Sequence, residues 1–228
     1  TIAAKNIGLY SIAGLMFWLV GYNLAYGIPE GGFIGSFLPW SDASAVDTGY
    51  SDGSDWFFQM VFCATTCSIV SGTLAERIKI WPFFLFCAIL AGVIYPIEMG
   101  WQWGGGHLAA AGFSDFAGST LVHSAGAAAA LAGALLLGPR LGRFTDSGEA
   151  APMAPFASSS IPLATLGVFI LWMGWFGFNG GSQLAMGSFD DSTAVATIFI
   201  NTNLAACAGV MACAVVSRLV TGKTDVIM

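Results

Sequence analysis

The chain has 228 residues, 56% of them hydrophobic, 14% aromatic and only 9% charged, a balance that excludes an ordinary soluble domain and points to a membrane protein. Its formal charge of −6 and the lack of any basic cluster exclude a nucleic-acid partner, because nothing in the chain is built to grip a phosphate backbone. Cys63, Cys67, Cys87, Cys207 and Cys213 all fall in apolar stretches, so they read as small core residues rather than a disulfide framework or a metal site, and no cofactor is expected.

A hydrocarbon core of about 30 Å takes about 20 apolar residues per helix. Windows of that kind run from Ile7 to Gly27, Trp56 to Leu74, Ile80 to Gly100, Thr120 to Leu137, Ile161 to Phe178 and Ala194 to Leu219. The predicted fold is therefore all-α, a polytopic membrane helix bundle of six transmembrane helices in a single domain over residues 1–228. Residues 139–160, rich in Pro, Ala and Ser toward their end, read as a cytoplasmic linker. The chain opens on Thr1 and has no charged segment with a cleavage site, so no signal peptide is read and a fragment is expected.

Taken in chain order, the charges fall on two sides. Lys5 precedes the first span, Arg77 and Lys79 separate the second and third, Arg140 and Arg143 follow the fourth, and Arg218 and Lys223 surround the end of the sixth. The other three loops carry no Lys or Arg, which by the positive-inside rule predicts both termini in the cytoplasm. The opposite loops hold Glu30, Asp42, Asp47, Asp52, Asp55, Asp190 and Asp191. They read either as solvated loops or as an acidic mouth that enriches cations. The first, third and fifth spans are rich in Phe, Trp, Leu and Ile, which suits contact with lipid or large facing side chains, but the fourth is nearly all Ala, Gly and Leu, the composition that lets membrane helices approach closely, so it is expected to be central.

Polar groups inside such spans carry functional hypotheses. Phe58 and Phe62 share one face of the second span at i, i+4 spacing, which packing alone also explains. Glu98, near the end of the third span, either snorkels to the surface or adds negative charge beside the indoles that follow. Trp101 and Trp103 are interfacial anchors or offer a π face to a cation. Asp115 precedes the fourth span, where a carboxylate caps free backbone N–H groups. His123, one turn into that helix, lines a pore or fills a structural place; a desolvated, neutral imidazole there donates from one nitrogen and accepts at the other. The run Trp175 to Ser182 closes the fifth span and brings a hydroxyl to the same expected surface. Nowhere do a nucleophile, a base and oxyanion donors stand at recognisable spacing, so an enzyme is not expected.

At Gly72-Thr73-Leu74-Ala75-Glu76-Arg77, Trp103-Gly104-Gly105-Gly106, Asp115 through His123, Trp175 through Ser182 and Asn201-Thr202-Asn203, the chain resembles the ammonium transporter family (Amt/Mep/Rh), and its Amt branch more than the others. Members of that family have eleven helices and assemble as trimers, and the six spans here resemble the second to seventh. The resemblance implies that ammonium is bound by Trp103 and Ser182, that Phe58 and Phe62 form a stacked gate, and that Asp115 supports the site. It makes His123 the first of two pore histidines, the second lying outside this chain; His107 does not replace it. It further implies ammonia passing an apolar pore after ammonium is deprotonated, a homotrimer in the cell membrane in contact with lipid, and regulation by a PII-class protein. Alternatives within the family are an ammonium sensor with little conduction and an Rh-like gas channel.

Overall fold

The computed structural model describes residues 4–41, 50–144, 148–149 and 160–224. Among the described residues the regular structure is helical, with no strand. Six long helices carry it: α1 (Lys5–Tyr26), α2 (Asp52–Leu74), α3 (Ile80–Gly100), α4 (Leu121–Leu137), α5 (Ile161–Gly181) and α6 (Phe189–Thr221). A single turn at His107–Ala110 lies between α3 and α4. Five of the six are long and apolar enough to cross a bilayer; α4, with 17 residues, is shorter. At about 1.5 Å per residue α4 reaches somewhat less than the hydrocarbon thickness, so the expected count of six spans is met in helices but not in helix length. Most of the linker predicted at 139–160 lies outside the described residues.

Two helices start earlier than the apolar windows suggest, for the same reason. Ser51 caps α2, its Oγ accepting from Ser54 N at 3.2 Å, and Ser188 caps α6 in a reciprocal box with Asp191. Capping residues and first-turn acids stabilise a helix N-terminus, so Asp52, Asp55, Asp190 and Asp191 belong to helices, where counting charge assigned them to loops. Asp55 departs furthest from that expectation: it is 7% exposed, not a solvated loop residue.

The chain divides into two compact units, Thr1–Ala151 and Pro152–Met228. In the first, α1 to α4 form an up-and-down bundle. At one end Lys5 Nζ donates to Ser71 Oγ at 2.7 Å and sits 5.9 Å from the Phe83 ring centroid, while the Arg77 guanidinium donates to the Gly138 carbonyl. Arg140 Nε lies 3.5 Å from Glu76 Oε2. The bundle thus gathers the start of α1, the turn between α2 and α3 and the end of α4 at one pole, together with most of the basic residues. The core between the poles is built from Leu9, Ala13, Phe17, Phe62, Val70, Phe83, Leu90 and Val122, all buried. Burial of such apolar side chains against one another is what a small-residue face permits. On α4, a Cβ at Gly126 would lie 2.9 Å from Ile69 Cβ and 3.2 Å from the Thr66 carbonyl oxygen, so glycine sets the approach of α4 to α2. The opposite face of α4, with Leu131, Leu135 and Leu136, is exposed; the helix is packed on one side only among the described residues.

α1 and α3 each contain one π-helical turn, at Phe17–Gly21 and Leu90–Ile94, and these turns pack against each other. The second has a sequence cause. Pro96 has no N–H and its ring would meet the carbonyl four residues earlier in a regular helix; the wider turn, in which Tyr95 N–H reaches the Leu90 carbonyl, relieves that clash.

In the second unit α5 and α6 pair through Asn179 Nδ2, which donates to Thr202 Oγ1 at 2.9 Å, and through the edge-on rings of Phe176 and Phe199, 5.3 Å apart. Of the cysteines, Cys63, Cys67 and Cys87 are buried as expected, whereas Cys207 is exposed and Cys213 half-buried.

Candidate functional site

The site is assembled where α3 ends and α4 begins. After Gly100 the chain turns so that Trp103 N donates to the Met99 carbonyl at 2.9 Å, carrying the indole back over the bundle. Its Nε1 donates to the backbone carbonyl of Asp115 at 2.7 Å. The carboxylate of that same residue accepts from Gly118 N at 2.9 Å, Thr120 N at 2.8 Å and Leu121 N at 2.7 Å, satisfying donors that a helix start leaves unpaired. The tight turn depends on Gly118, whose φ of +85° is a conformation that side-chain-bearing residues adopt at a cost. A Cβ there would also come within 3.1 Å of Trp103 Cη2.

Beneath the indole lies Phe62 of α2, 1% exposed, with its ring 5.2 Å from Trp103 at 66° and 4.9 Å from Phe58 at 86°. These are edge-to-face arrangements, the favoured geometry for aromatic quadrupoles. The structure therefore brings Phe58, Phe62, Trp103 and Asp115 into one cluster. Asp115 spends its oxygens on backbone N–H groups, so it acts by holding the indole and the helix start rather than by presenting a free carboxylate.

His123 follows in the first turn of α4. Thr66 Oγ1 lies 3.5 Å from the carbonyl of Val122, tying that turn to α2, while the imidazole itself is exposed. The desolvation expected for His123 is not supplied by the described residues. Ser182 belongs to the second unit, where it ends α5 and donates from Oγ to the Phe178 carbonyl at 3.0 Å. His107 sits elsewhere, stacked 4.2 Å from Phe33 and edge-on to Trp101 at 5.0 Å.

Two acidic residues have surroundings that the linear order does not give. Glu98 is half-buried, with its Oε2 buried and without a hydrogen-bond partner, beside Trp101 and Ser124 on a cavity of about 810 Å³ between α3 and α4. Asp55 forms a buried polar group with Tyr22 and Gln59; the i, i+4 spacing of Asp55 and Gln59 within an otherwise apolar helix was the signal available.

The family model for the Ammonium Transporter Family matches residues 1–228. Ammonium transporter Amt2 of Archaeoglobus fulgidus is 39% identical over 240 residues, covering 99% of this chain and 48% of the relative. The solved structure of a sensor Amt protein superposes with a TM-score of 0.87 at 34% identity, covering 98% of this chain and 55% of the other. A Mep2 mutant from Candida albicans gives a TM-score of 0.75 at 29% identity, over 95% of this chain and 50% of its own. The chain spans about half the length of the curated relatives it matches. With its whole length matched by the family model and its helices superposing on solved members, this chain belongs to the ammonium transporter family.

Proposed function

We propose that the protein carrying this chain moves ammonium across a membrane, and that Trp103, Phe58 and Phe62 form the place where the cation is taken up. The observation that carries this reading is the edge-to-face series Phe58, Phe62, Trp103, fixed in place by the Nε1 bond to Asp115. A cation losing water among aromatic faces exchanges hydration for cation–π attraction, and a desolvated ammonium releases its proton more readily than a hydrated one. Ammonia then passes an apolar path, along which His123 offers a donor and an acceptor. Asp115 supports the indole, and membership of the family favours a substrate-binding role for the Ser182 hydroxyl as well. Potassium has no proton to release and is rejected by the same desolvation. The activity is transport rather than catalysis, in a multi-pass cell-membrane protein whose charge asymmetry favours cytoplasmic ends for this segment. The helices serve as one transmembrane domain, the assembly is a homotrimer, and a PII-class protein is its regulator.

The similarity to a sensor Amt protein favours a second reading, in which ammonium is bound at this place and signalled with little passage. Uptake of radiolabelled methylammonium by cells expressing the full-length protein separates the two. Transport predicts saturable uptake that ammonium competes away and that falls in Trp103→Ala and His123→Ala. Uptake in both variants equal to wild type contradicts the assignment, and binding without uptake favours the sensor.

A further inference from the structure

Asp55 and Gln59 stand one turn apart on α2 and are both more than nine-tenths buried, at 7% and 6% exposure. The Tyr22 hydroxyl donates to Asp55 Oδ2 at 2.7 Å, and Gln59 Nε2 donates to Oδ1 at 3.4 Å. Two donors aimed at two oxygens suit an ionised carboxylate, which has about four acceptor positions and so keeps some of them open. The oxygen of the same Gln59 amide, Oε1, is buried and has no hydrogen-bond partner. The group thus presents acceptors in excess, in a place closed to bulk water.

Charge points the same way. Asp52 lies within electrostatic reach of Asp55 and adds a second negative group. Among the described residues no ion pair involves Asp55, and Lys5, Arg77 and Arg140 are engaged at the opposite pole of the bundle. A buried carboxylate without a counter-charge is costly unless it takes up a proton or a positive group joins it, and a cation that brings its own N–H donors supplies the second. Aromatic rings stand alongside: Tyr22 and Tyr26 are 4.8 Å apart, and Phe17 lies 5.9 Å from Tyr22. A divalent metal takes six to eight oxygens with several carboxylates, more than this group holds. One charged oxygen pair, one neutral amide oxygen and nearby π systems match a small monovalent cation.

We propose that Tyr22, Asp55 and Gln59 form a binding site for a small monovalent cation, with ammonium-type ions the best fit because their N–H groups donate and this group is rich in acceptors. The site lies between α1 and α2 and differs from the Trp103 cluster in its residues, Asp55 standing about two turns and Gln59 under one turn along α2 from Phe62 toward its N-terminus. It goes beyond the transport reading and does not depend on passage.

The test is equilibrium binding of radiolabelled methylammonium to the purified full-length protein, with choline chloride holding ionic strength constant. Two components are expected in wild type. Asp55→Asn, which keeps shape and removes charge, weakens one of them by about tenfold or more, as loss of hydrogen bonds to a charged group does; Gln59→Met weakens the same component, and Trp103→Leu leaves it in place. Binding in Asp55→Asn and Gln59→Met that matches wild type overturns the proposal. If Asp55→Asn does not fold, Gln59→Met and Tyr22→Phe decide by the same criterion. A protein that shows the Asp55-dependent component but no flux keeps this site and loses the transport reading; flux with binding indifferent to Asp55 does the reverse.

Discussion

The Trp103 indole and the Asp115 carbonyl are joined by a 2.7 Å hydrogen bond, and through it the orientation of an aromatic face depends on the cap of a helix twelve residues later. The three backbone N–H groups held by the Asp115 carboxylate fix the first turn of α4, which also carries His123. One residue therefore sets both the lid of the aromatic cluster and the register of the helix beneath it.

Removing that residue has a stability cost that can be measured. Asp115→Ala leaves buried N–H groups without acceptors and is expected to lower stability by about 2–4 kcal/mol. Asp115→Asn, which keeps one amide oxygen, costs less. Unfolding midpoints in denaturant, with the order wild type, Asn, Ala, check this; an Ala variant as stable as wild type contradicts the capping role.

Trp103→Phe separates the ring from its anchor. A phenyl group keeps a π face but loses the bond to Asp115, worth about 1 kcal/mol, and is the weaker cation–π partner. The expected result is a methylammonium affinity reduced by about threefold to tenfold with the fold retained. Unchanged affinity would remove the indole from the binding site.

At the other pole, Glu76 holds a φ of +68°, which a residue with a side chain adopts at about 1–2 kcal/mol. Its ion pair with Arg140 is part-exposed and of a kind that contributes about 0–1 kcal/mol. Glu76→Gly is therefore expected to raise stability slightly and Glu76→Ala to lower it, since alanine keeps the strain and loses the pair. Thermal unfolding of the two variants decides; alanine more stable than glycine contradicts the account.

Glu98 is the mirror case of a polar group without a partner. Its buried Oε2 adds a desolvation cost that no hydrogen bond offsets. Glu98→Leu is expected to stabilise the protein by about 1–3 kcal/mol, read from denaturant midpoints. A destabilised leucine variant would show that the carboxylate has a partner in the assembled protein.

Much of this was legible in the sequence because the relevant physics is local. Hydrophobic windows located the helices, the position of Asp115 ahead of an apolar run indicated a cap, and the i, i+4 spacing of Phe58 and Phe62 put them on one face. Contacts made across the bundle were not legible: nothing in the linear order says that the Trp103 indole finds the Asp115 carbonyl or that Phe62 lies under it. Asp55 was misread for a definite reason. Charge marked the edge of a span, yet Ser51 caps α2 one turn earlier and the Tyr22 hydroxyl of α1 donates to the Asp55 carboxylate in the interior. Ser188 and Asp191 moved the start of α6 in the same way. The exposure of Cys207 likewise depends on which face of α6 is packed, and an apolar stretch does not encode that.

The most direct measurement is ion flux through the full-length protein reconstituted in liposomes, with ammonium and potassium gradients compared at equal ionic strength. The account predicts ammonium-driven flux well above that of empty liposomes, reduced in Trp103→Ala, and none driven by potassium. Potassium passing as readily as ammonium, or ammonium flux no greater than in empty liposomes, would contradict it.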